Sequence, residues 1–221
     1  LVYLLLTISC IVSLYLCGMN VFDSTNYSMS ITATGGFAPY NDSTGHFHSV
    51  AIDNVNILFM FLSGTNFTLL YMAIFRRKML SLFRDSEFKL YITVVAAATL
   101  GITYFLVTRS DYPVGKALHN ALFQVVSFIT TTGVFNDDAG KWHHITWVIL
   151  TICMFNGACA GSTSGGFKSV RGVILFKLIR NELKRVLHPK AVLPVKVNGH
   201  LVSTSNQVTL LVFFALYMAL C

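Results

Sequence analysis

Two stretches of this chain could do chemistry with their backbones rather than with their side chains. One is Ile129-Thr130-Thr131-Thr132-Gly133-Val134-Phe135, and the other, 98 residues earlier, is Ile31-Thr32-Ala33-Thr34-Gly35-Gly36-Phe37. Both read Ile-Thr-x-Thr-Gly-x-Phe. A Thr-x-Thr-Gly segment offers successive backbone carbonyls, and its glycine admits a left-handed turn that a bulkier residue resists. Rings of such carbonyls can replace the hydration shell of a potassium ion. One copy would be explained by an ordinary Thr/Gly turn between helices. Two copies in matching surroundings point to a pore. Aligned on the shared pattern, Gly133 falls opposite Gly35, and Gly36 falls opposite Val134, so position 36 is expected to tolerate a side chain.

A third stretch is as unusual. Asn156-Gly157-Ala158-Cys159-Ala160-Gly161-Ser162-Thr163-Ser164-Gly165-Gly166 lies inside an otherwise apolar segment. Each of its four glycines costs a helix interior roughly 1 kcal/mol relative to alanine, so the segment reads as two half-helices joined by a loop. A phosphate-cradling loop is the alternative. That motif needs glycine, lysine and serine or threonine in succession, and here Phe167 separates Gly166 from Lys168-Ser169, with no strand before it. A nucleotide site is rejected.

Other chemistry finds no support. Cys10, Cys17, Cys153, Cys159 and Cys221 lie in apolar runs without ligand spacing and read as packing residues. His46 and His48, like His143 and His144, are not spaced as metal ligands and read as solvated. No triad or carboxylate pair suggests an enzyme, and no tightly bound cofactor is expected.

The elements that must position the two loops follow from composition. Of 221 residues, 54% are hydrophobic and only 11% charged, against about 25% charged in a soluble domain, so the chain reads as an integral membrane protein. The formal net charge of +7 would suggest nucleic acid in a soluble protein, but its distribution argues otherwise. Thirteen of the sixteen Lys/Arg fall in two blocks, Arg76 to Lys89 and Lys168 to Lys196, and acids such as Asp23, Asp42, Asp53, Asp111, Asp137 and Asp138 gather between or before them. The positive-inside rule then makes the basic blocks cytoplasmic and opens both Thr/Gly loops outward. No nucleic-acid partner is needed.

Taken in order, Leu1 to Met19 is uncharged and long enough to cross a bilayer core of about 30 Å at about 1.5 Å per residue. Phe22 to Ile31, opened by Asp23-Ser24 as cap, is too short to span and reads as a re-entrant helix before the first loop. Val55 to Phe75 reads as the returning span, with Ser63-Gly64-Thr65-Asn66 as a small-residue packing site. The pattern recurs: a span from Leu90 to Thr108, a short helix from Lys116 to Ile129, the second loop, and a returning segment from Trp142 to Leu187 broken at the glycines. Met60-Phe61-Leu62-Ser63-Gly64 echoes Met154-Phe155-Asn156-Gly157. From Lys168, basic residues recur at helical spacing as one cationic stripe, and His188-Pro189 ends that helix. The organisation is thus a first pore unit over 1–75, a cytoplasmic linker over 76–89, a second unit over 90–187, a linker over 188–200, and the first span of a further unit over 201–221. The fold class is all-α, with repeated span–pore helix–span units and a helix broken at mid-membrane. The first residue is Leu1 and an apolar run reaches Cys221, so the sequence reads as a fragment of a longer chain.

At these residues the sequence resembles the Trk/Ktr/HKT superfamily of potassium transporters, most closely the bacterial TrkH-type subunits. The resemblance covers essentially the whole chain. It rests on Thr32 to Phe37, Gly64-Thr65-Asn66-Phe67, Thr130 to Gly133 and Gly157 to Lys168. It implies four such units around one pore, of which this chain would hold the second, the third and the start of the fourth. It further implies potassium as the transported ligand and filter walls from the carbonyls of Thr32, Ala33, Thr34 and Gly35 with those of Thr130, Thr131, Thr132 and Gly133. The gate would be the loop Gly157, Ala158, Cys159, Ala160, Gly161, Ser162, Thr163, Ser164, Gly165 and Gly166. By the same resemblance the protein would sit in the bacterial cytoplasmic (inner) membrane lipid bilayer as a homodimer. A cytosolic nucleotide-binding regulatory subunit would dock along the basic surface from Lys168 to Lys196. Two other readings stay open: a secondary transporter for an organic solute using broken helices, and a non-conducting structural subunit.

Overall fold

The computed structural model describes residues 1–77, 79–110, 112–187, 194–198 and 200–220. Asp111, His188, Pro189 and Cys221, named above, lie outside them, as do Lys78 and Lys190 of the two basic blocks.

Helix α1 (Val2–Leu16) is uncharged throughout, turning Leu6, Cys10 and Leu14 inward and Leu4, Ile8 and Val12 outward. Helix α2 (Val21–Ala33) starts one turn before the expected cap. Asn20 Oδ1 accepts from the Asp23 N–H at 2.7 Å, and Asn20 Nδ2 donates back to the Asp23 carboxylate at 2.8 Å. Asp23 is therefore the third helical residue of a reciprocal capping pair, not the cap itself.

The returning segment of the first unit departs most from the sequence reading. Instead of one span over 55–75, the chain forms α3 (Val50–Ser63) and α4 (Phe67–Phe75), bent by 105° at Gly64-Thr65-Asn66. Asn66 caps the second piece, its Oδ1 accepting from the Thr68 N–H at 2.9 Å. The freed backbone groups find partners far along the chain: Cys159 N–H donates to Gly64 O at 3.0 Å, and Phe67 N–H donates to Gly161 O at 3.1 Å. A break away from water needs such partners, since an unpaired backbone group there costs several kcal/mol.

After α5 (Met79–Arg84), Asp85 caps α6 (Ser86–Arg109), its Oδ1 accepting from the N–H groups of Glu87 and Phe88 at 2.8 and 3.1 Å. Among the described residues, α6 is the one helix long and apolar enough to cross a membrane alone, and α3 with α4 passes as a broken span. Helix α7 (Val114–Ile129) is followed by α8 (His144–Asn156), α9 (Ser169–Leu187), a two-residue ribbon of β1 (Lys196–Val197) and β2 (His200–Leu201), and α10 (Thr204–Leu220).

The packing repeats as the sequence does. Helix α2 lies against α1 and α3, and α7 lies against α6 and α8, so the helix before each Thr/Gly loop is held by the flanking helices of its own unit. The units meet where α3 packs on α7 and where Tyr91 of α6 stacks on Phe61 of α3 at 4.9 Å. Tyr91 is fully buried, and its hydroxyl donates to the Phe61 carbonyl at 3.3 Å, which makes an aromatic body with a satisfied polar tip. His143 and His46 are also more than solvated. The first caps α8 through Nδ1 and stacks on Phe105, and the second stacks on Tyr40 at 4.0 Å.

Candidate functional site

The two Thr/Gly loops sit at the C-terminal ends of α2 and α7, where helix dipoles lend partial negative charge. In each loop the first left-handed residue is a threonine, Thr34 in one and Thr131 in the other, both at φ 54°. Each is held by its helix end: Thr34 N–H donates to Ile31 O at 3.2 Å and Thr131 N–H to Phe128 O at 3.0 Å. The next N–H bonds also match, Gly35 to Ser30 O at 2.8 Å and Thr132 to Ser127 O at 2.9 Å. The second positive φ falls at Gly36 (74°) and Gly133 (81°).

The backbone therefore pairs Thr34 with Thr131, Gly35 with Thr132 and Gly36 with Gly133, a spacing of 97 residues and not 98. The pairing of Gly133 with Gly35 is corrected, and with it the expectation that position 36 tolerates a side chain. Thr32 and Ala33 belong to the last turn of α2, and Thr130 caps α7. The carbonyl of Thr32 accepts from the Thr163 hydroxyl at 2.9 Å. Side-chain hydroxyls brace the second loop from behind: Thr130 Oγ1 donates to Val126 O and pairs with Thr132 Oγ1 at 2.7 Å, and Ser127 Oγ donates to Val134 O at 2.5 Å. With those hydroxyls turned into the protein, the loop backbone is what remains to face a ligand.

The two loops touch each other. A Cβ built on Gly36 would collide with the carbonyl oxygen of Thr132, and one built on Gly133 would lie 3.9 Å from Gly36 Cα.

The glycine-rich segment packs directly against both. Thr34 Oγ1 donates to Thr163 O at 3.0 Å, and Gly165 N–H donates to Thr131 Oγ1 at 2.7 Å, so the two equivalent threonines grip the same loop. Helix α8 stops at Asn156, and the chain stays irregular until α9 begins at Ser169. Gly157, Ala158, Cys159 and Ser164 are buried, whereas Ala160, Gly161, Ser162, Thr163, Gly165 and Gly166 are partly or fully exposed. The loop is closed on itself by Ala158 N–H to Ser164 Oγ at 3.2 Å and by Ser162 Oγ to Cys159 O at 2.5 Å. Lys168 turns its ammonium back onto the carbonyls of Ser164 and Ser162. Its other neighbour is the break in the first unit, through the two backbone bonds at Gly64 and Phe67 given above.

Asp137 and Asp138, which follow the second loop, have different surroundings. Asp137 Oδ2 accepts from Asn120 Nδ2 at 2.7 Å and from the Tyr112 hydroxyl at 3.3 Å, and its backbone carbonyl accepts from Gln124 Nε2 at 3.1 Å. Burial and the neighbouring Asp137 carboxylate push the Tyr112 phenol above its ordinary range, so it stays a protonated donor. Asp138 is exposed, caps a short 3₁₀ turn and pairs with Lys141 at 3.4 Å.

Sequence reasoning missed three contributors: the break at Gly64 to Asn66, Thr163 as a contact of the first Thr/Gly loop, and the buried Glu87. The first had a signal in the Met-Phe echo, since Gly64 and Gly157 both directly follow the last residue of a helix. Glu87 follows Asp85 by two residues at the start of an apolar run, and nothing in the sequence sets it apart from that helix cap.

Paired re-entrant helices with facing backbone loops, each enclosed by its own unit's helices, define an all-helical integral membrane protein of repeated pore-loop units. Comparison then places the chain. A family model described as TrkH, cation transport protein, matches residues 1–221, and the chain belongs to that family. It is 37% identical over 203 residues to the Trk system potassium uptake protein TrkH of Salmonella typhimurium, covering 90% of this chain and 41% of that protein. It is 35% identical over 216 residues to TrkG of Escherichia coli strain K12, covering 97% and 44%. The crystal structure of the potassium transporter TrkH from Vibrio parahaemolyticus superposes with a TM-score of 0.90 at 35% identity, over 96% of this chain and 46% of that one. The chain thus spans less than half the length of these relatives.

Proposed function

We propose that these residues form two units of the pore of a potassium uptake protein, with ions passing through a carbonyl-lined filter. The observation that carries the reading is the pair of loops whose backbones turn at the same points, Thr34 with Thr131 and Gly36 with Gly133, and which lie in contact. The filter walls on this reading are the carbonyls from Thr34 to Gly36 and from Thr131 to Gly133. Thr32, Ala33 and Thr130 support them from the helix ends. The names of the relatives supply the ion: carbonyl rings of this kind replace the hydration shell of potassium.

The loop from Gly157 to Gly166 is the gate. It lies against both filter threonines, and its glycines give it the backbone freedom a moving element needs. The protein works in the bacterial inner membrane, loops outward and basic blocks inward, as a homodimer with a cytosolic nucleotide-binding subunit along the basic surface of α9. The dimer and partner rest on the resemblance described first.

The test is complementation. The complete reading frame that carries this sequence should restore growth at low potassium to a bacterial strain stripped of its own uptake systems, with rubidium uptake following expression. Failure to move potassium or rubidium in well-expressed protein overturns the reading. Uptake tied to an organic solute would replace it with the secondary-transporter reading.

A further inference from the structure

Glu87 is the second residue of α6 and is 5% exposed, among the buried Phe88 and Tyr91 of the same helix. A buried carboxylate is costly unless it is hydrogen-bonded. Among the described residues it takes part in neither of the two ion pairs, Lys141–Asp138 and Arg185–Glu182. Its partners are backbone. Oε1 accepts from the Ala160 N–H at 2.5 Å and from the Val170 N–H at 3.0 Å. Ala160 lies inside the glycine-rich loop, and Val170 is the second residue of α9. One oxygen thus ties the loop to the start of the helix that follows it, at the positive end of that helix's dipole. Charge-assisted bonds of this kind are about twice as strong as neutral ones.

The same helix end is gripped from the other side. Asn198, in the turn of the β1–β2 ribbon, donates through Nδ2 to Asp85 Oδ2 at 2.6 Å, and its Oδ1 accepts from the Ser86 N–H at 3.0 Å. Lys177 of α9 donates to Lys196 O of that ribbon at 2.6 Å. The exposed ribbon, the N-terminus of α6 and the loop are therefore joined by consecutive hydrogen bonds through Asp85, Ser86 and Glu87.

We infer that Glu87 is a positioning residue that latches the glycine-rich loop where it is seen, and that the Asn198 turn sets the latch by holding the end of α6. The inference rests on the reading of the loop as a gate for its consequence, but not for its test. Labelling of the loop reads the latch without any ion flux. In the complete protein, with its own cysteines replaced and Ser162→Cys as reporter, the rate of modification by a water-soluble thiol reagent is measured. Glu87→Gln removes the charge but keeps one amide oxygen, which can still accept from both N–H groups in place of Oε1. It should raise the rate roughly fivefold, the scale of a charged hydrogen bond reduced to a neutral one. Glu87→Asp, which keeps the charge, should fall between that variant and the parent. Asn198→Ala, at an exposed turn, should raise the rate by a smaller factor. Labelling of folded Glu87→Gln at the parent's rate overturns the inference. If that variant does not fold, parent-like labelling of Asn198→Ala overturns it instead. Rubidium uptake measured alongside separates the two claims: faster labelling without faster uptake leaves the latch standing and removes the gate.

Discussion

Gly36 lies so close to Thr132 that a single added carbon on the glycine would strike the threonine's carbonyl oxygen. Gly35, one residue earlier, has ordinary φ, and its nearest obstacle is the Phe37 ring at 3.5 Å. The structural partner of Gly35 in the second loop is Thr132, which carries a side chain. Gly36→Ala should therefore lower potassium uptake roughly tenfold or more. Part of that loss comes from a left-handed φ costing a non-glycine residue about 1–2 kcal/mol. Gly35→Ala should stay within about threefold of the parent, well under 1 kcal/mol. Rubidium uptake at matched expression checks the pair, and equal losses would mean the 97-residue register is wrong.

The bond from Gly165 N–H to Thr131 Oγ1 makes a second case. Thr131→Val keeps the shape and removes the acceptor, at roughly 1 kcal/mol. Thr131→Ser keeps the acceptor. If this bond helps hold the loop closed, Thr131→Val raises resting uptake several-fold and Thr131→Ser does not. The reverse order would show that the threonine's methyl group matters and the tether does not.

Asp137 and Asp138 are adjacent but should behave differently. Asp137→Ala strands the Asn120 amide and the Tyr112 hydroxyl, each of which donates to its carboxylate. The expected loss of stability is about 1–3 kcal/mol, read as a lower melting temperature in detergent. Asp138→Ala removes only an exposed pair and a cap on a three-residue turn, so its melting temperature should stay close to the parent's. Similar melting temperatures for the two variants would count against a structural role for Asp137.

Asn20→Ala tests the first pore helix from its far end. The capping pair with Asp23 is lost, at about 1 kcal/mol for an N-cap. Asp23 would keep the Tyr40 hydroxyl at 3.1 Å as a partner. Ser24→Ala, at the position first taken for part of the cap, removes only a bond to Val21 O at 3.1 Å and should cost less. Thermal unfolding of the two variants decides which residue begins the helix.

Much of this protein was legible in its sequence because membrane helices announce themselves locally. Apolar runs, short helices before Thr/Gly loops and four glycines inside an apolar segment each carry their meaning within a few residues. So the repeat, the re-entrant helices and the break after Asn156 could be placed without coordinates. The register of the repeat could not be placed by matching letters. It is fixed by which residue turns left-handed against the end of its helix, and both turns count from a serine, Ser30 and Ser127, whose carbonyls accept the same loop N–H. Those serines sit in the sequence at the 97-residue spacing, but nothing marks them above the longer Ile-Thr-x-Thr-Gly match. The bend at Gly64 and the partners of Glu87 belong wholly to the tertiary structure. Gly64-Thr65-Asn66 is short enough to pass for a packing site inside a span. It breaks because Cys159 and Gly161, nearly a hundred residues on, supply the hydrogen bonds that a break away from water requires. Glu87 likewise finds its donors 73 and 83 residues away, and a backbone N–H has no side chain by which a sequence could advertise it.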